Sequence, residues 1–405
     1  MLKWWNGLNR EFKLLLMVWM FVGITQGLYD TTFNNYLSDI FHVSAKVRGY
    51  MEFPREFPGF MVAVVSAALI FMADVRMLGL AIVLISVGLT GQSLYDLGGE
   101  PLFGLMVINM LIWSTGMHLF MPISNTVSVR LAEPGKIGES LGLCNGANNI
   151  SYIVGCALIW ILMGWLKLEY SWVFRIAAVS GIIAVLCTLK MSKPQQPVKR
   201  KFRLVLRKEY TLFYWLNILF GARKQVFLTF APWVLVKIYD QKTTVIATLL
   251  FTASVLGIFF KPWLGRMIDR IGEKKILMAE SIVLIFVCIG YGYAEFLGLG
   301  KLSIFLVYFC YIIDNLLMAA SMARTTYLHK NLVEEEDLTP SLSMGISMDH
   351  AVAMTIPMFG GMLWEAFGYE IIFFVAAIIA MINIYAASRI RNRVLPEIKA
   401  VTQAG

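Results

Sequence analysis

Several ionisable side chains are set inside long apolar runs of this 405-residue sequence: Asp30, Glu52, Arg55, Glu56, Arg223, Lys224, Asp314, Asp349 and His350, with His118 beside them. A charge at the centre of a bilayer costs about 2.5–3.5 kcal/mol. A set of this size facing lipid would exceed a typical net folding stability of about 5–15 kcal/mol. These groups must therefore face one another or a water-filled cavity. Buried carboxylates beside cations can exchange protons. Asp30 or Glu56, with Asp314 in reserve, is the expected proton-coupling group, and protonation would release Arg55 or Lys224. A histidine at the position of His350 suits a proton switch, and a satisfied interhelical histidine is the other reading. Ion pairs that only staple helices together are the other reading.

Helical geometry groups these residues. In the first apolar run Gly23, Gln26, Gly27, Asp30 and Asn34 share one face. In the seventh, Asn217, Gly221, Lys224 and Gln225 do the same, and Arg223 points elsewhere. Glu52, Arg55, Glu56 and Gly59 form a face of the second. The fifth carries an amide stripe of Asn145, Asn148, Asn149 and Tyr152, and amides commonly bond between helices. His118 lies opposite Asn109 on its wheel and receives no site role. Asp30 and Lys224 sit at similar depths, which predicts a pair across the centre or the two ends of a charged solute.

The elements that position them follow from composition. The chain is 58% hydrophobic and 15% charged, against roughly 45–50% and about 25% in soluble proteins. That excludes a soluble enzyme. Apolar runs predict twelve spans near 14–38, 47–72, 76–95, 101–127, 138–164, 171–190, 209–237, 243–265, 275–296, 302–327, 340–364 and 370–389. Of the 35 lysines and arginines, Lys46, Arg48, Lys167, Arg175, Lys237, Lys242 and Lys301 fall on the face opposite the termini. Arg55, Arg223 and Lys224 lie within spans, and the rest fall on the face of the termini. This bias places both termini in the cytoplasm and explains the net charge of +9 without nucleic acid. The five cysteines have no metal-type spacing, and no metal or cofactor site is expected. No nucleotide-binding loop, HExxH pair or Gly-x-Ser-x-Gly is present, so neither ATP-driven action nor an enzyme is expected.

The polar stretch 191–208 halves the chain into bundles of residues 1–190 and 209–405, joined by a basic linker. Gly27 and Phe33 match Gly221 and Phe227 at an offset of 194 residues, Asp74 matches Asp269 at 195, and Phe174 matches Phe374 at 200. These coincidences predict an internal repeat of six spans.

After the eighth span the chain reads Gly265, Arg266, Met267, Ile268, Asp269, Arg270, Ile271, Gly272, Glu273, Lys274, Lys275. This strongly resembles the Gly-x-x-x-Asp-Arg-x-Gly-x-Lys-Lys signature of the major facilitator superfamily. Between spans 2 and 3 only Asp74 and Arg76 survive as a remnant. Spans 11 and 12 resemble the same family through Pro357, Gly360, Gly361, Trp364, Gly368, Tyr369 and Phe373. The glycines of span 5 (Gly138, Gly142, Gly146, Gly155) do not reproduce the drug-antiporter signature. The resemblance implies an all-α membrane protein of twelve transmembrane helices in two pseudo-symmetric six-helix bundles, a monomer in a bacterial cytoplasmic membrane. It implies a secondary transporter of a small organic solute, with Gly265, Asp269, Arg270, Gly272, Asp74 and Arg76 as gating loops. The binding set is Asp30, Glu52, Arg55, Glu56, Arg223, Lys224, Asp314, Asp349 and His350, with Gln26, Asn34, Asn145, Asn149 and Gln225 as cavity amides. Three basic groups, Arg55, Arg223 and Lys224, favour an organic anion or zwitterion, moved by proton coupling. Membrane lipids, protons and the solute are the expected partners. Export of amphiphilic drugs, or a receptor or lipid-handling role on the same fold, is the alternative.

Overall fold

A computed structural model describes residues 8–68, 72–96, 100–133, 136–192, 206–334 and 337–390. The basic segment 193–205, Lys3 and the basic tail from 391 onward lie outside the described residues. Twelve helical spans cross the molecule. Span 1 is Arg10–Asp39, span 2 Glu52–Ala68, span 3 Asp74–Gln92, span 4 Phe103–Leu131, span 5 Ile137–Ile159 and span 6 Tyr170–Leu189. Span 7 is Thr211–Lys237, span 8 Thr243–Ile271, span 9 Glu273–Tyr293, span 11 Leu338–Phe367 and span 12 Glu370–Ser388. Span 10 runs from Ser303–Leu317 through a tighter turn at Met318–Ala320 into Ser321–Lys330. A short helix, Ala45–Tyr50, precedes span 2.

Among the described residues nine helices are long and apolar enough to cross a membrane by composition alone. The other three are spans 2, 7 and 11, which carry Glu52, Arg55 and Glu56; Arg223 and Lys224; and Asp349 and His350. Span 11 packs on both span 2 and span 7, so their polar faces are turned toward protein rather than lipid. Helix ends follow local chemistry. Asn9 caps span 1 by accepting from the Phe12 amide at 2.7 Å. Gly272 and Gly368 take φ of 87° and 91° where spans 8 and 11 stop. Pro54 sits in the first turn of span 2, where its missing donor matters little.

The two six-span bundles repeat each other at an offset of 198–200 rather than 194. Span 1 closes with the Val43 amide donating to the Leu37 carbonyl around His42 at φ 47°. Span 7 closes with Gln241 donating to Leu235 around Asp240 at φ 49°. Both ends close by the same six-residue backbone bond around a left-handed residue, 198 residues apart. The helix crossings agree: a Cβ on Gly23 would meet Ser151, and one on Gly221 would meet Asp349. The latches agree too. Asp74 opens span 3 and pairs with Arg130 at the end of span 4 (2.6 Å), and Glu273 opens span 9 and pairs with Lys330 at the end of span 10 (2.6 Å). The structural counterpart of Asp74 is therefore Glu273. Asp269 and Arg270 are exposed on the last turn of span 8, and no side chain caps span 9.

The bundles meet on the face opposite the termini, here the far face. Asn35 donates to the Gln241 carbonyl at 2.8 Å, the Lys46 amide to Glu365 at 3.2 Å, and the Trp160 indole to Thr248 at 3.0 Å. Gly361 and Gly49 let the short helix and span 11 touch backbone to backbone. Apolar clusters merge across the bundles there, through Trp233 and Ala247 on one side and Cys156 on the other. Among the described residues the clusters near the termini, around Leu216 and Leu264 and around Tyr210 and Leu328, contain second-bundle residues alone. The bundles are closed at the far face and part toward the termini.

Close helix approach at Gly221 makes it sensitive. Gly221→Val should cost about 1–3 kcal/mol by overpacking, read as a lowered melting temperature in detergent. Gly142→Val, at a position with open space around it, should leave that temperature unchanged.

Candidate functional site

Glu52 is fully buried near the far end of span 2. It pairs with Arg48 one turn earlier, and Arg55 reaches it at 2.9 Å. Gln225 of the other bundle donates to its second oxygen at 2.6 Å, and Asn34 accepts from Arg48 Nε at 3.1 Å. A carboxylate taken out of water needs this many donors. Gln225 and Asn34, expected to line a cavity, are spent on this junction. Arg48, expected among loop charges, is 1% exposed.

A second cluster lies wholly in the second bundle. Arg223 pairs with Glu280 of span 9 at 3.0 Å and with Asp314 of span 10 at 3.2 Å, all three buried. Arg223 and Asp314 are thus turned into the bundle and do not join the groups of spans 2 and 11. Arg324 is buried nearby, its guanidinium 3.5 Å from the Phe220 ring centroid. Glu280 and Arg324 carry no signal in the spacing alone, because each looks like a residue near a helix end.

Between the bundles lies the third group. Lys224 of span 7 holds Asp349 of span 11 at 2.5 Å. The expected pairing of Lys224 with Asp30 is replaced by this one. In the 198 register Lys224 matches Gln26, one turn from Asp30. Asp30 is half-buried, with Arg55, Tyr152 and Gln26 around its carboxylate and no ion pair within 4 Å among the described residues. Tyr311 of span 10 approaches it from the other bundle. Asn149 is half-buried, and Asn145 is exposed and donates to the Leu141 carbonyl of its own helix. Arg55, which also reaches Glu52, and Lys224 and Asp349 retain 16–19% side-chain exposure, unlike the enclosed Arg48, Glu52, Arg223, Glu280 and Asp314. This leaves two cations and two carboxylates of the expected set open to the interface.

The fourth group joins Glu56 to two histidines. His350 Nδ1 lies 2.9 Å from Glu56 Oε2, and His118 Nε2 lies 3.9 Å from the same oxygen. His118, set aside on its wheel, belongs with this group. Its imidazole faces span 2, and Asn109 on its opposite face meets Gly91 of span 3.

The sequence matches the model described as "Major Facilitator Superfamily" over residues 57–330 and 213–404. It is 25% identical over 164 residues to the MFS-type transporter YybF of Bacillus subtilis (strain 168), covering 38% of this chain and 40% of that protein. It is 22% identical over 259 residues to the MFS-type transporter MJ1317 of Methanocaldococcus jannaschii, covering 62% and 63%. The alignments thus span less than two thirds of either relative. A crystal structure of a point variant of the nucleoside transporter NupG superposes with a TM-score of 0.77 at 14% identity, covering 94% of this chain and 99% of that one. The twelve spans, the paired bundles and the match from residue 57 to residue 404 make this chain a member of the major facilitator superfamily.

Proposed function

We propose that this multi-pass membrane protein is a secondary transporter that moves a small zwitterionic organic solute by rocking its two bundles, driven by protons. The carrying observation is the open quartet of Asp30, Arg55, Lys224 and Asp349, with both signs of charge contributed by both bundles and partial exposure at the interface. A solute with an ammonium and a carboxylate meets a partner for each end. Burial of Arg223 between Glu280 and Asp314 removes the cationic excess that favoured a plain anion. Asp30 supports the coupling role because it is reachable and outside an ion pair, whereas Glu52 and Asp314 are held by arginines. The basic bias of the termini face supports a cytoplasmic location for it. In that orientation the present arrangement is inward-open.

Thermal stability of the purified protein against metabolites grouped by charge tests the solute class. Zwitterions should raise the melting temperature, and Lys224→Gln should remove the effect. Stabilisation by lipophilic cations, unchanged in Lys224→Gln, would overturn the reading in favour of drug export. In proteoliposomes Asp30→Asn should abolish proton-driven accumulation of the stabilising solute while leaving solute–solute exchange. Undiminished accumulation in that variant would remove Asp30 from coupling.

A further inference from the structure

We infer that Glu56, His118 and His350 form a binding site for a divalent transition-metal ion of the zinc type, and that the bound ion ties the two bundles together. Spacing gave no hint of it, since the three ligands come from spans 2, 4 and 11. Their ligand atoms lie within 4.8 Å of one another. Two imidazoles and a carboxylate, with coordination positions left for water, are a common donor set for zinc. Zinc bonds of about 2.0–2.2 Å in a tetrahedral arrangement place ligand atoms a little over 3 Å apart. The separations of 2.9 and 3.9 Å from Glu56 Oε2 bracket that value, so rotamer adjustment alone would close the site.

The surroundings are prepared for this. His118 Nδ1 is 2.9 Å from the Ser114 carbonyl, which fixes the proton on that nitrogen and leaves Nε2 as the ligand. Ser114 also donates through its hydroxyl to the Arg55 carbonyl, tying the span 4 ligand to span 2. Gly59 supplies the space: a Cβ there would strike both imidazole rings. The rings sit edge to face with centroids 5.0 Å apart. The nearby cation, Arg55, is engaged by Glu52, which lowers its repulsion of a metal ion. The side chains of His118 and His350 keep 22% and 14% exposure, so an ion has a way in.

Glu56 and His118 belong to the first bundle and His350 to the second, so a bound ion spans the joint on which the bundles rock. Occupancy should hold the far face closed. The site does not depend on which solute is carried or on Asp30 as the coupling group, and its test needs no transport.

The probe is cobalt(II), titrated into the detergent-purified, tag-free protein carrying His42→Gln and His329→Gln, which remove the two remaining histidines. The expected result is one equivalent of cobalt with visible absorption bands of low-symmetry coordination, displaced by one equivalent of zinc. Zinc should also raise the melting temperature. Glu56→Gln, His118→Gln and His350→Gln should each abolish the bands and the zinc-induced shift. His350→Cys keeps a ligand, so it should retain binding and add a near-ultraviolet thiolate-to-cobalt band. Absence of the bands in the parent protein would overturn the site. Bands of equal strength in a folded Glu56→Gln/His118→Gln/His350→Gln variant would also overturn it.

Discussion

Replacing Arg223 with methionine should prevent most of the protein from reaching a folded state. Arg223 pairs with both Glu280 and Asp314, and all three side chains are 6% exposed or less. Methionine fills much of the same volume and leaves two buried carboxylates with only Arg324 as a nearby cation. Removing one partner from a buried ion pair costs about 3–5 kcal/mol, a large share of a typical stability of about 5–15 kcal/mol. The expected readout is aggregation or a sharply lowered melting temperature in detergent. The variant that also carries Glu280→Gln and Asp314→Asn should recover part of the loss, because it removes both unpaired carboxylates while Arg324 stays buried. A folded, fully stable Arg223→Met single variant would show that these carboxylates are neutralised by other means.

The second large effect is expected at Glu52. This carboxylate is fully buried and joins Arg48 and Arg55 of its own bundle to Gln225 of the other. Glu52→Gln leaves two arginines without their common anion, one of them 1% exposed, again a loss of about 3–5 kcal/mol. Part of that loss should appear as opening rather than unfolding, because the charge-assisted bond from Gln225 is weakened at the same time. Gln225→Leu severs the cross-bundle bond alone and should cost about 1–3 kcal/mol, the typical penalty for a lost bond to a charged group. Cys156 reports on this joint, since it is buried within the cluster that includes Val226 and Phe227. With Cys144, Cys187, Cys288 and Cys310 changed to serine, a membrane-impermeant thiol reagent should label Cys156 slowly in the parent. Labelling should be faster in Gln225→Leu and faster still in Glu52→Gln. Equal protection in all three would mean that the far face is held shut without this junction.

Twelve spans, their limits to within a few residues and the face on which charge accumulates were legible in the sequence. Each rests on a property of a single segment: apolar length, a polar break, or a loop's count of basic residues. Much of the inventory of buried charge was legible for the same reason, but Arg48, Glu280 and Arg324 were not, because each stands near a segment end in the sequence. Partner choice was not. A helical wheel gives the direction of a side chain about its own axis but not which neighbouring helix stands there. Hence Lys224 was expected opposite Asp30 and is held by Asp349, and Arg223 was expected in the cavity and is locked by Glu280 and Asp314. His118 seemed to face away from the polar side because Asn109 was taken to mark it. Span 4 has two occupied faces, one on span 3 and one on spans 2 and 11.

The repeat shows the physical limit most directly. Glycines and aromatics aligned at 194 residues, whereas the caps and the Gly23 and Gly221 crossings repeat at 198. Four residues are close to one helical turn of 3.6, so both registers put the same side chains on the same face. They differ only in depth along the axis. Depth is set by where a helix ends and which turn of its neighbour it packs against. Sequence fixed direction around each helix because that depends on covalent geometry alone; tertiary packing decided height and partner, because those depend on contacts between segments far apart in the chain.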